Sequence, residues 1–353
     1  MNKHLIALAV LAASGAAMAQ SSVQIYGIID TYVGSTQDTT GKSGNTAKTD
    51  ASSQTVVNSG GLKSSRWGMR GTEDLGGGLK AGFKLEQRYK TDTGEQDGVA
   101  FKGESSVNLS GSFGTVALGR MGTPYDDLRG KTNPIADTNL SPVGDTFKET
   151  QGDYTDKTDN TVAYVSPSFN GFSAAVGVSL GENKTSAVDG TQHTSLKLQY
   201  ANGPLLVGYG YQKEEVQNTS GTPAVVDGIN DVSYNLLAAS YDFGVAKLVG
   251  GYQTAERSKK GVNVGDDQGY YFGVQAPVAS NVNVYFGYAN SRFDAVAVNG
   301  DVKATGYTLA ANYVLSKRTD AYVGYKHIKK ENDSTGADLG KNRAFAVGVR
   351  HSF

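Results

Sequence analysis

The side chains that could serve as base, nucleophile or metal ligand are few and scattered along the chain. Its 353 residues include four histidines and no cysteine, which removes thiolate nucleophiles, thiolate zinc sites, iron–sulfur clusters and disulfides. His4, His193, His327 and His351 fall on separate segments, and none joins a serine or carboxylate in the constellation that barrel hydrolases require at one rim. Gly130-Lys131-Thr132 and Gly41-Lys42-Ser43 imitate the end of a phosphate-binding loop. The glycine required five positions earlier is Tyr125 in the first and Thr36 in the second, so neither is a nucleotide site. No catalytic, metal or cofactor site is read, and an enzyme is not expected. A net charge of -1 gives no footprint for nucleic acid.

The remaining chemistry is electrostatic and lies in charges set on alternating positions. Arg66 and Arg70 share a parity opposite Trp67 and Met69; Lys80, Lys84 and Arg88 share one opposite Phe83 and Leu85. A short turn, Asp74 to Gly78, brings the two sets side by side as a basic wall. Asp30 has the parity of Gln24 and should face the same interior. A long segment, Arg120 to Asp159, carries Asp126, Asp127, Asp137, Asp145, Glu149 and Asp153 against Arg129, Lys131 and Lys148, so it is net acidic. Acidic segment against basic wall would set a transverse field across a narrowing, orienting dipolar solutes and excluding apolar ones. Arg120 shares the parity of the apolar Val116 and Leu118, so it joins that field only if the strand bulges near Gly119.

Such a field needs a scaffold whose two faces differ. Met1 to Ala19 has a basic start at Lys3, an apolar run from Leu5 to Ala13 and a small-x-small end at Ala17-Met18-Ala19; this is an export signal, and the mature chain is expected to run from Gln20 to Phe353 as one domain. No later stretch approaches the roughly 18 apolar residues of a spanning helix, and mean hydropathy is -0.36. Period-2 strands dominate instead: Leu196, Leu198 and Tyr200 alternate with Ser195, Lys197 and Gln199, and Phe345, Val347 and Val349 with Ala346, Gly348 and Arg350. Seven short turns alternate with eight long loops, which makes sixteen antiparallel strands with two unlike rims. Charges such as Lys84, Glu86 and Arg88 on the second face suit a water-filled lumen, since a lipid-facing Arg or Lys near the midplane would cost roughly 2–4 kcal/mol. Aromatics at strand ends, among them Tyr26, Tyr32, Trp67, Tyr164, Tyr252 and Tyr325, are placed in two interfacial girdles.

Val23 to Asp30 (VQIYGIID), Ser65 to Lys80 (SRWGMRGTEDLGGGLK), Phe113 to Arg120 (FGTVALGR), Asn160 to Phe172 (NTVAYVSPSFNGF) and the terminal Arg350-His351-Ser352-Phe353 together resemble the general porins of Gram-negative β-proteobacteria, the Neisseria and Burkholderia type. The resemblance covers the whole mature chain in order. It implies an all-β fold, a 16-stranded antiparallel transmembrane barrel in the outer membrane, assembled as a homotrimer, with its third loop constricting each pore. It also implies that Phe353 is the signal read by the barrel-assembly machinery, and that outer-membrane lipid and lipopolysaccharide surround the protein.

The function expected is a passive channel for ions and small hydrophilic solutes. Its constriction is assigned to Arg66, Arg70, Lys80, Lys84, Arg88 and Arg120 on the basic side and to Asp126, Asp127, Asp137 and Asp145 on the acidic side, with a modest anion preference. The alternatives are a barrel acting mainly as adhesin or receptor through its long loops, and a soluble exported carbohydrate-binding β-protein.

Overall fold

The computed structural model describes residues 22–40, 52–135, 138–150, 152–186, 190–220, 225–259, 261–296 and 301–353. The expected export signal, Gly41-Lys42-Ser43 and Asp137 lie outside the described residues. The chain runs β1 (Ser22–Asp38), β2 (Gln54–Ser59), β3 (Arg66–Gly76), β4 (Leu79–Arg88), β5 (Glu104–Gly111), β6 (Gly114–Gly122), α1 (Pro124–Thr132), α2 (Pro142–Thr150), β7 (Lys157–Val165), β8 (Phe172–Leu180) and β9 (Gln192–Asn202). It continues through β10 (Leu205–Ser220), β11 (Val225–Asp242), β12 (Lys247–Lys259), β13 (Val262–Ala279), β14 (Val282–Ala295), β15 (Val302–Val314), β16 (Thr319–Asn332) and β17 (Asp338–Ser352).

Every ladder is antiparallel, and β1 closes the ring by pairing with β17 on one side and with β2 and β3 on the other. Thr31 to Thr36 face β2 while Ser22 to Ile28 face β3. β2 and β3 are therefore one stave broken at residues 60–65, and the seventeen strands make sixteen staves. The closing seam continues to the last residue, where Gly27 and Phe353 exchange backbone hydrogen bonds, both 3.1 Å. A closed sheet leaves no edge, which is what lets backbone cross hydrocarbon fully paired.

The outer face is apolar and exposed, with Val23, Ile25, Leu118, Val162, Leu198, Leu237, Leu309 and Val347 pointing away from the barrel. Inside lie Gln212, Gln253, Ser291, Thr308 and Asn312. The alternation read from sequence is thus the division between lipid and lumen.

Two expectations need correction. Two of the eight long loops expected from the sequence, Glu214 to Asp231 and Glu256 to Gln268, are not loops throughout: strands run to Ser220 and Lys259 and resume at Val225 and Val262. Ser35 to Lys63 likewise holds the end of β1 and all of β2. Above the apolar zone outward residues turn polar, so hydropathy falls although the backbone ladder continues. The wall is accordingly uneven, 8 or 9 residues per strand from β5 to β8 and up to 18 in β11 and β13, against roughly 9–11 needed to span. Secondly, Tyr26 and Tyr32 do not join an outer girdle. They share Asp30's parity and point inward, Tyr26 donating to Glu86 and Tyr32 lying buried with Tyr322 and Leu140.

Candidate functional site

Between β6 and β7 the chain turns into the barrel and lies along the inner faces of β8 to β16, with α1 against β8–β12 and α2 against β13–β16. Thr123 starts α1 by accepting the Asp126 N–H on its hydroxyl at 3.1 Å, with Pro124 next in line, a favourable start for a short helix.

Glycine makes room for this inner segment. A Cβ on Gly208 would come within 2.5 Å of Leu128, on Gly269 within 2.4 Å of Phe147, on Gly273 within 2.1 Å of Pro134, and on Gly324 within 2.4 Å of Leu140. The inward positions of β10, β13 and β16 are bare so that Leu128, Phe147 and Leu140, all fully buried, can press against backbone. Part of the excess of glycine, 46 in the chain, thereby has a structural cause.

Lysines fasten the same segment. Lys197 on β9 engages Asp127, Lys326 on β16 engages Asp145, and Lys330 lies 3.6 Å from Glu149. All three lysines are nearly inaccessible. Burial pushes the Asp127 carboxyl up, but hydrogen bonds from Lys131 and Lys197 outweigh it and hold the carboxyl below its ordinary range. Burial wins at Glu149, whose carboxyl is held above the ordinary range despite Thr40 and Lys330. Asp156, near the segment's end, is held low: Lys157 foremost outweighs burial.

Between the inner segment and the opposite wall lies an opening of about 530 Å³. The wall contributes Asn58, Ser59, Ser64 and Arg88, the loop after β4 contributes Lys90, Asp97 and Lys102, and the segment contributes Arg129, Lys148, Asp145, Asp153 and Asp156. Five cations thus meet four carboxylates. Arg129, 1% exposed along its side chain, lies with its guanidinium 5.1 Å from the Phe147 ring centre and 4.6 Å from that of Tyr154, and 3.4 Å from Asp153. Two aromatic faces and one carboxylate hold this charge in place at the rim.

Of the six basic residues expected at the narrowing, Arg88 lines this opening. Arg66 and Arg88 sit opposite one another, as do Arg70 and Lys84, so the side-by-side wall is present, but Glu86 lies among them, 3.6 Å from Arg66, 3.7 Å from Arg88 and 3.9 Å from Lys84. Lys84 also meets Glu104 at 2.7 Å. Arg70 chelates Gln24 Oε1 at 2.8 and 2.9 Å, and Lys80 lies at the short-turn rim beside Gly78 and Gly111. The strand does bulge at Gly119, φ +127°, with a register shift before Met121; Arg120 there donates to the Lys102 carbonyl and to Asp159 at 2.6 Å and does not itself line the opening. Among the acids, Asp145 lines the opening, Asp127 is turned back to Lys197, and Asp126 accepts from Tyr154 at 2.8 Å.

Asp30 faces inward and is buried. Its carboxylate accepts the Gly61, Leu62 and Lys63 N–H groups at 3.0, 3.0 and 2.8 Å. It therefore pins the break between β2 and β3, which forms one side of the opening. Lys90, Lys102, Lys326 and Lys330 were absent from the sequence assignment. The first two sit in a loop that folds down into the lumen; the last two have inward parity on β16, a signal visible in Lys326-His327-Ile328-Lys329-Lys330 once the strand is extended.

A sequence profile described as Gram-negative porin matches residues 6–333. Outer membrane porin protein 32 of Delftia acidovorans is 36% identical and an outer membrane porin protein of Bordetella pertussis 32% identical, with 100% of both chains covered in each comparison. Among solved structures, an anion-selective porin from Comamonas acidovorans superposes with a TM-score of 0.78 at 32% identity, covering 95% of this chain and 100% of its own.

Proposed function

The chain belongs to the family of Gram-negative porins, and from that premise we propose a diffusion channel that prefers anions and assembles as a trimer. As an outer-membrane porin it passes small hydrophilic solutes through its water-filled lumen; the adhesin alternative has no support among relatives described as porins. The anion preference rests on one observation above all: carboxylates of the inner segment are drawn back onto buried wall lysines, Asp127 to Lys197, Asp145 to Lys326 and Glu149 to Lys330. Around the opening, Arg88, Lys90, Lys102, Arg129 and Lys148 then outnumber the carboxylates. The preference is modest, because Asp97 meets Lys102 at 3.2 Å and Asp153 meets Arg129.

The mechanism is selection by field. At physiological salt the Debye length is about 8 Å, so the charges lining the opening dominate and those on distant loops act mainly on capture. A hydrated anion finds cations on both sides of the gap; an apolar solute gains nothing for its lost hydration. The trimer is supported by the apolar, uncharged outward row Val23, Ile25 and Ile29 on β1, which only β3 and β4 separate from the low wall of β5 to β8. Phe353 is assigned to recognition by the assembly machinery and residues 1–19 to export. Single-channel recording with a salt gradient tests the channel reading: stepwise conductance and a reversal potential of anion-selective sign are expected, and a cation-selective sign would overturn the charge assignment.

A further inference from the structure

Between α2 and β7, residues 152–155 form neither helix nor strand and cross the inner faces of three staves. Buried backbone without a ladder must find its partners elsewhere, and here each stave offers one inward polar side chain. Gln253 of β12 donates to the Gly152 carbonyl, Tyr234 of β11 to the Asp153 carbonyl at 2.7 Å, and Gln212 of β10 to the Thr155 carbonyl at 2.9 Å. Glu214, the next inward residue on β10, completes the strap. Its Oε1 accepts the Thr155 N–H and the Gln212 amide, both at 2.7 Å, and its Oε2 accepts the Thr155 hydroxyl at 2.9 Å. The N–H, carbonyl and hydroxyl of Thr155 are thus all held by one strand.

Glu214 is buried, and among the described residues no lysine, arginine or histidine lies within ion-pair distance of it. A buried carboxylate without a counter-cation is costly unless hydrogen bonds meet it; two of the three that do come from Thr155. Its neighbours in the segment aim a charge. The Tyr154 ring lies 4.6 Å from the Arg129 guanidinium and its hydroxyl donates to Asp126 at 2.8 Å, while Asp153 lies 3.4 Å from the same guanidinium. Arg129 is one of the five cations lining the opening, whereas Glu214 does not line it.

We propose that Glu214 is a positioning residue for anion selectivity: by holding Thr155 it fixes Tyr154 and Asp153, and through them the place of the Arg129 guanidinium at the opening. This rests on the anion-preferring reading of the channel. It also reverses the sign that charge alone would give. A lumen carboxylate acting only through its field opposes anions, so neutralising it by any substitution would raise anion preference. A carboxylate that holds Arg129 in place has the opposite effect when its acceptors are removed.

Reversal potentials in a salt gradient, recorded on full-length protein in planar bilayers, separate the two. Arg129→Ala is expected to shift the potential toward cation preference. Glu214→Ala should shift it in the same direction and no further. Glu214→Gln, which removes the charge but keeps an acceptor oxygen for the Thr155 N–H, should stay at the wild-type value or move toward anion preference. In the Arg129→Ala background Glu214→Ala should give no further shift toward cations, because residues acting through one another are not additive. Thr155→Val removes a donor and no charge; a smaller shift of the same sign as Glu214→Ala is expected, and this variant carries the test if Glu214→Ala fails to give a heat-modifiable barrel. Equal shifts of Glu214→Ala and Glu214→Gln toward anion preference, a full additional shift in the Arg129→Ala background, wild-type selectivity of Arg129→Ala, or wild-type selectivity of both Glu214→Ala and Thr155→Val would each overturn the proposal. A cation-selective wild type would count against the charge assignment of the opening, and the shifts among variants would still decide the role of Glu214.

Discussion

The Tyr322 hydroxyl on β16 donates to the Asp30 carboxylate on β1 at 2.5 Å, joining residues 292 positions apart. The same carboxylate collects three backbone N–H groups from the break in the second stave, so one buried group sets where residues 60–65 stand and how far the opening extends on that side. Asp30→Ala should strip these donors of their acceptor, a loss on the order of 1–3 kcal/mol for each buried group left unpaired. The expected result is a lower unfolding temperature by circular dichroism and a broadened spread of single-channel conductances, with Tyr322→Phe giving a smaller change of the same sign. A wild-type conductance distribution for Asp30→Ala would show that the break holds its position without the carboxylate.

Selectivity should follow distance from the opening. Arg88→Ala or Lys102→Ala removes a lining charge and is expected to move the reversal potential toward zero. Arg66→Ala and Arg70→Ala should move it less, since neither residue lines the opening and Arg70 is turned to Gln24. Asp127→Asn leaves Lys131 and Lys197 without their shared carboxylate and should strengthen the anion preference. An equal response to all four cation substitutions, read in a salt gradient, would mean that the field is set along the whole lumen.

The seat of the inner segment is open to a steric test. Gly269→Ala places a methyl where Phe147 lies, within 2.4 Å, and also 2.9 Å from the Asn290 carbonyl oxygen. Overpacking of this kind costs typically about 1–3 kcal/mol. Since β13 keeps its ladder bonds, the inner segment should yield before the barrel does: heat-modifiable gel migration is expected to persist while conductance changes. Gly130→Ala, with open space around it, is the control and should leave conductance unaltered.

Sequence carried the barrel further than it carried the site. Alternation at Leu196–Tyr200 or Phe345–Val349 reports the two faces directly, because lipid and water select opposite residues at every second position. That signal fades where both sides are wet, which is why the outer parts of β10 to β13 read as loops. Site prediction from parity alone gave the correct neighbours, Arg66 beside Arg88 and Arg70 beside Lys84, but parity holds no depth. It could not tell that Lys80 stands at the rim or that Glu86, named as a lumen residue, lies within the cationic group. The docking role of Lys197, Lys326 and Lys330 escaped notice for another reason: a lumen lysine, as Lys197 is read from sequence, counts as a pore charge until the segment that buries it is placed.

Acid should separate the inner carboxylates in a fixed order. Glu149 is held above the ordinary carboxylate range by burial, whereas Asp127 and Asp156 are held below it, in each case because lysine contacts outweigh burial. Of these three, Glu149 therefore takes a proton first as pH falls, above the usual value of about 4.3, while Asp127 and Asp156 stay ionised to below about 3.9. Each protonation removes one negative charge inside the lumen, and at Glu149 it also releases Lys330 from its partner. The sign follows: anion preference should rise on acidification, with a first step that Glu149→Gln abolishes and a second, at lower pH, that it leaves intact. The contacts of Asp127 with Lys131 and Lys197 belong to the charged carboxylate, so they are fully present above the ordinary Asp value and are lost only as pH falls through the lowered one. Reversal potentials measured from neutral pH downward, on wild type and Glu149→Gln, test this; a single step common to both proteins would show that Glu149 does not titrate ahead of the others.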